Sequence, residues 1–205
     1  EEGLVGRTER DVAFRIAAVF HAAGYERSFD PIVGSGANGA LPHGRPGDRV
    51  IERGDLVVLD IGARREDGYC SDCTRTMAAG AEPSAEALED YALVRRAQEE
   101  ALAAVHAGAL ASAVDGASRV AYDERGLGGL YGHGLGHGIG LDVHESPYFR
   151  RESAGTVPAG AVMSVEPGIY RSGRWGIRIE DLVVIREGGC EILTPFPKDL
   201  VVSGG

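Results

Sequence analysis

The chain has 205 residues, 43% hydrophobic and 25% charged, with a formal net charge of −10. That composition fits a soluble globular protein with a sizeable core, and the acidic balance argues against nucleic acid or an anionic membrane as partner. There is no apolar run of membrane-spanning length and no basic-then-apolar leader, and three cysteines do not read as a disulfide scaffold, so a reducing cytoplasmic setting is the default.

Residues 8–23 predict an amphipathic helix. Thr8 caps it with Asp11 three residues on, Val12, Ile16, Ala17, Val19 and Phe20 form the apolar side, and Gly24 ends it. Residues 29–36 predict a short strand running into glycine. The apolar run DLVVLDIG, residues 55–62, fits a buried strand, with residues 68–77 as its hairpin partner. Helices are expected at 84–106, capped by Ser84, and at 111–124. A segment rich in Gly and His, 132–144, leads to strands at 161–165 and 176–185.

The two halves are alike. Gly6, Val12 and Gly24 align with Gly108, Val114 and Gly126 at an offset of 102. Gly54, Asp60 and Gly62 align with Gly160, Glu166 and Gly168 at 106, and Asp72 aligns with Glu180 at 108. This is a duplicated helix-plus-hairpin unit, too long in period for a solenoid. Two such units facing each other would point their carboxylates into one cleft.

Asp60, Glu166 and Glu180 each sit in or at the end of a strand that otherwise favours burial, and Asp72 is the fourth acid of the pattern. Buried carboxylates need a partner cation. Arg75 and Arg178 are the only nearby basic residues, too few for four acids, whereas two divalent cations would balance them. Three of the six histidines, His133, His137 and His144, fall within twelve positions of YGHGLGHGIGLDVHE. Imidazole with carboxylates suits Mn, Co, Fe or Zn. His43 follows Pro42 in FDPIVGSGANGALPHG and, on this stretch alone, reads as an exposed loop histidine. The C-x-x-C of Cys70 and Cys73 has no second pair to complete a zinc site. Strand alternation puts the two cysteines on opposite faces, so Cys73 reads as a small buried hydrophobe and Cys70 as packing beside the site.

The motifs FDPIVGSGANGALPH, GDLVVLDIGARREDGYCSDCTRT, GHGLGHGIGLDVHE, VMSVEPGIY and GIRIEDLVVI, in this order, resemble the proline-specific metallopeptidases, prolidase and aminopeptidase P, over nearly the whole chain. The resemblance implies an α+β pita-bread (creatinase/aminopeptidase) fold shared with methionine aminopeptidase. Residues 1–205 would form one catalytic domain with pseudo-repeat halves of about 1–82 and 83–205, lacking the family's N-terminal domain. The chain opens at Glu1 rather than Met, as a fragment or processed product would.

By position, the resemblance implies a dinuclear site for two divalent ions, Mn or Co first and Zn or Fe next. Asp60 would hold one metal, Asp72 and Glu180 would bridge, and His137 and Glu166 would complete the other. His43, His133 and His144 would line the substrate side, and Arg178 would order the site. The implied reaction is hydrolysis of Xaa-Pro bonds by a bridging hydroxide, with Glu166 moving the proton. The implied partner is a small peptide with proline second, and a homodimer is allowed. PHG, SDCTRT, EPGIY and RIED favour the proline-specific branch over methionine aminopeptidase. The alternatives are a methionine-aminopeptidase-like activity, or a weakly catalytic truncated domain acting as a binding module. Dipeptidase and aminopeptidase are not separated by these residues.

Overall fold

The computed structural model describes residues 3–204. Helix α1 (Glu9–Ala22) begins on a reciprocal cap: Thr8 Oγ1 accepts from the Asp11 amide at 3.0 Å, and the Asp11 carboxylate accepts from the Thr8 amide at 3.2 Å. Its packed stripe is Val12, Ala13 and Ile16, set against Val33, Ile51 and Val57. Val19, expected on that stripe, is 56% exposed, because the packing is confined to the first half of the helix.

Strand β1 (Glu26–Arg27) pairs with β4 (Ala63–Arg64), while β2 (Ile32–Ser35) and β3 (Leu56–Ile61) enter a four-stranded sheet with β5 (Cys73–Ala79). The strand expected at 29–36 is therefore shorter. The partner expected at 68–77 starts only at Cys73, leaving Asp72 in the approaching loop and Cys70 in an isolated bridge to Arg64. Helices α2 (Ala85–Ala104, capped by Ser84) and α3 (Ala111–Asp123) pack on each other. Then come β6 (Gly136–Gly138), β7 (Glu145–Phe149), β8 (Val162–Val165), the hairpin β9 (Gly168–Arg171) and β10 (Trp175–Arg178), β11 (Asp181–Arg186), β12 (Gly189–Ile192) and β13 (Val202–Ser203). The second large sheet has the order β12-β11-β8-β6-β7, and β13 completes the first sheet beside β5.

The run expected as one strand at 176–185 is two. Arg178 ends β10, which pairs with β9, and Asp181 begins β11, which pairs with β8. The break at Ile179 and Glu180 lets one stretch serve two sheets and brings Arg178 and Glu180 together at the junction. Behind this junction Ile169, Ile177 and Ile179 are fully buried against Tyr91, Val94 and Tyr122 of α2 and α3, which fixes the hairpin from behind.

The halves share equivalent hydrogen bonds. The Gly6 amide donates to the Ile51 carbonyl at 2.9 Å, and the Gly108 amide to that of Val157 at 2.8 Å. The Gly54 amide donates to Ala79 at 2.7 Å, and the Gly160 amide to Ile185 at 2.9 Å. Both glycines hold positive φ, 92° and 81°, as a side chain there would resist. Isolated bridges join Thr8 to Val50 and Leu110 to Thr156. The ladders agree as well: Leu59 faces Arg75 in one half and Val165 faces Asp181 in the other. By this register Glu180 corresponds to Thr74 rather than to Asp72, which lies two residues earlier, outside the ladder.

Candidate metal centre

The strand ends converge on a cavity of about 450 Å³. Asp60 comes from β3, Asp72 from the turn into β5, His137 from β6, Glu166 from just beyond β8, and Arg178 and Glu180 from the β10–β11 junction. His43, His133 and His144 line the same cavity, so it brings together all the acids and histidines of the expected site with Arg178. Strand β6 lies close to β8: a Cβ at Gly136 would sit 2.0 Å from the Ser164 carbonyl oxygen, so only glycine allows the neighbouring His137 this depth.

Proton positions on His137 follow from its neighbours. Nδ1 lies 3.0 Å from the Gly138 carbonyl, which can only accept, so Nδ1 carries the hydrogen and the neutral ring has its lone pair on Nε2. That lone pair faces Glu166 Oε1 at 3.2 Å and Asp72 Oδ2 at 3.9 Å. A lone pair against two carboxylates calls for a proton or a cation between them. One ligand atom each from Asp72, His137 and Glu180 lies within 4.8 Å of the others. Asp60 Oδ1, Asp72 Oδ1 and Glu180 Oε1 are buried without a hydrogen-bond partner. These orphaned oxygens and the oriented imidazole fit divalent cations.

The electrostatics point the same way. Burial, together with the charges of Glu180, Asp60 and Glu166, pushes the Asp72 carboxyl well above its usual range. Burial and the charges of Glu166 and Asp60 do the same to Glu180, which is only 1% exposed. Glu166 differs: burial pushes it up, but the hydrogen bond with His137 and the nearby His133 and Arg178 outweigh that and hold it down to about 2. Burial pulls the His137 imidazole down, while Glu166 and the Gly138 carbonyl outweigh it and raise it. Burial lowers His133, and burial with the neighbouring His137 lowers His144.

Among the described residues, Arg178 is the arginine that pairs with these acids. Its Nη2 donates to Asp60 Oδ2 at 2.6 Å, Nε to Thr74 Oγ1 at 3.0 Å, and Nη1 to the Tyr170 hydroxyl at 3.0 Å and the Pro42 carbonyl at 3.2 Å. Arg75 does not enter the cavity. It pairs with Asp181 at 2.7 Å and also donates to the Glu180 carbonyl. Two residues escaped the sequence reading. Thr74 donates to Glu180 Oε2 at 2.7 Å, and Tyr170 joins Arg178 to His133 Nε2 at 2.9 Å. Both lie inside the quoted motifs SDCTRT and EPGIY, but their bonds to Glu180 and Arg178 join separate strands and leave no local mark. Cys70 is turned toward the Leu141 carbonyl, 3.5 Å away, rather than into the cavity. Cys73 is only half-buried, and both thiols are free.

Two pseudo-equivalent hairpins that aim buried carboxylates into a shared cleft, with one oriented imidazole from β6, define a pita-bread domain whose residues fit a metal centre. The chain belongs to metallopeptidase family M24, whose profile matches residues 2–187. It is 44% identical over 197 residues to the probable dipeptidase PepE of Mycobacterium tuberculosis, covering 96% of this chain and 52% of that protein. It is 41% identical to a Xaa-Pro dipeptidase of Pyrococcus furiosus, covering 98% of this chain and 58% of the relative. Among solved structures, an X-Pro aminopeptidase from Thermotoga maritima superposes with a TM-score of 0.93 at 44% identity, covering 97% of this chain and 56% of that one. An aminopeptidase P of Escherichia coli in complex with substrate superposes at 0.85 with 28% identity, covering 95% and 50%. The chain thus spans about half the length of the relatives it matches. Among the described residues, no helix is long and apolar enough to cross a membrane.

Proposed function

We propose that this chain is the catalytic unit of a metal-dependent peptidase that hydrolyses the bond before proline in short Xaa-Pro peptides. The observation that carries the reading is the convergence of the His137 Nε2 lone pair with unpartnered oxygens of Asp72 and Glu180 inside one cavity. The relatives named as Xaa-Pro dipeptidase and X-Pro aminopeptidase support the substrate class. The unit is read as residues 1–205, with halves of about 1–82 and 83–205.

Asp60, Asp72, His137, Glu166 and Glu180 would hold two divalent ions, Mn or Co in the first instance. When bound, such ions supply Lewis acidity and lower the pKa of water. Glu166 would accept a proton from water and return it to the departing proline nitrogen. His144, whose ring centroid lies 4.2 Å from that of His137, and His43, on the cavity wall, would donate to the substrate carbonyl. His133 is held by the Tyr170 hydroxyl, and Arg178 keeps Asp60 oriented. Phe29, Ile32, Pro42 and Val143 give the proline ring an apolar surface.

The test is reconstitution. Protein stripped by a chelator and reloaded with Mn or Co is assayed on Xaa-Pro dipeptides, Xaa-Pro-Yaa tripeptides and Ala-Ala. Metal-dependent cleavage of the proline peptides alone is expected, and the two peptide lengths separate dipeptidase from aminopeptidase action. Cleavage that persists in metal-free protein would overturn the reading.

A further inference from the structure

The segment between β2 and residue 47 brings Pro42, His43, Arg45 and Pro46 to the cavity wall. Among the described residues the His43 imidazole has no hydrogen-bond partner, so its place is set by the backbone that carries it. That backbone is tied on its inner side by the Arg178 bond to the Pro42 carbonyl and by the contact of Gly39 with Gly176, where a Cβ on Gly176 would sit 1.9 Å from the Gly39 oxygen.

On the outer side the tie is Glu9. First-turn acids normally face solvent, where they favour the helix dipole. Glu9 is 0% exposed. Its Oε1 accepts from the Ser35 amide at 2.8 Å and the Ser35 hydroxyl at 2.7 Å. Its Oε2 accepts from Asn38 Nδ2 at 2.7 Å and the Gly47 amide at 3.1 Å. Asn38 Nδ2 also donates to the Arg45 carbonyl at 3.3 Å, and Arg49 Nη1 supports Ser35 Oγ at 2.6 Å. Burying a charge is costly unless its lone pairs are satisfied, and here four donors satisfy them. Those donors come from both ends of the segment that presents His43, so one carboxylate closes the loop.

We propose that Glu9 is a positioning residue that fixes residues 35–47 and thereby sets His43 at the substrate end of the cleft. The inference rests on the reading of the cleft as a peptidase site.

Glu9→Gln is nearly isosteric, but its amide nitrogen cannot accept, so the bonds to Asn38 and Gly47 or those to Ser35 are lost. Asn38→Ala is the milder variant if Glu9→Gln does not fold. Two readouts are taken on the Mn-loaded protein. In hydrogen exchange, faster exchange across residues 36–47 with unchanged protection in α2 is expected. In a double-mutant cycle, either variant should lower kcat/KM about 10- to 100-fold alone and less than about twofold in a His43→Ala background. Unchanged exchange over 36–47, or the same fold-loss in both backgrounds, would overturn the proposal. If the parent protein cleaves no peptide, the peptidase reading falls, and hydrogen exchange alone decides the role of Glu9.

Discussion

Arg178 spans the seam between the two halves and places Nη2 2.6 Å from Asp60 Oδ2, with both side chains largely buried. Removing one member of such a pair leaves an uncompensated charge in the interior, at about 3–5 kcal/mol. Arg178→Met is therefore expected to lower the stability of the metal-free protein by about that amount. Bound Mn should recover more stability in the variant than in the parent, because the cation takes over the neutralisation of Asp60. Urea denaturation with and without Mn measures both. Equal metal-induced gains in the two proteins would count against a ligand role for Asp60.

Burial and neighbouring acids push the Asp72 and Glu180 carboxyls well above their usual range. Asp72→Asn is expected to leave the metal-free protein at least as stable as the parent at pH 8, since it removes a buried carboxylate that resists ionisation. The same change should weaken metal binding by more than the roughly 10- to 100-fold typical of residues that merely support a ligand. Calorimetric metal titration and thermal denaturation in chelator check the two halves of this prediction.

The sign of the pH dependence follows from the same pair. Both carboxyls have folded pKa values raised above their unfolded ones, so the metal-free fold holds protons the unfolded chain has released. Their contribution is fully present below the unfolded carboxylate range and is lost as pH rises through the folded values. Metal displaces those protons, so the rise in Tm on adding Mn should be larger at pH 8 than at pH 5, and binding should release protons. A Tm increment independent of pH would contradict this.

The cysteines should prove silent. Burial pushes the Cys73 thiol up to about 12, so it stays protonated and unreactive near neutral pH. A Cys70→Ser, Cys73→Ser double variant should keep its metal content and its kcat/KM within about twofold. Iodoacetamide at pH 7.5 followed by peptide mapping should leave Cys73 unlabelled in the native protein.

The sequence was most legible where local chemistry contradicted local burial. Asp60 after four apolar residues and Glu166 after VMSV stand out because a strand interior disfavours a lone charge. The duplication was visible for the same reason, since both copies carry an acid at one strand position. Long-range exchanges were not visible. Residues 176–185 have the pattern of one strand, and only the competing partners β9 and β8 divide it at Glu180. The offset of 108 linked Asp72 to Glu180 by residue type, whereas the ladder links Thr74. Nothing local marks Glu9 out, because its partners Ser35, Asn38 and Gly47 lie 26 to 38 residues away. Val19 fits the helical stripe but projects beyond the core that covers Val12.

Mn-dependent hydrolysis of Ala-Pro by parent protein, compared with the Asp72→Ala and His137→Ala variants, with metal content measured on the same samples, tests the central claim most directly. The account predicts bound Mn and cleavage in the parent, both lost in each variant, with no cleavage of Ala-Ala. Cleavage of Ala-Pro by protein holding less than about one equivalent of metal, or by either variant at the parent's rate, would contradict it.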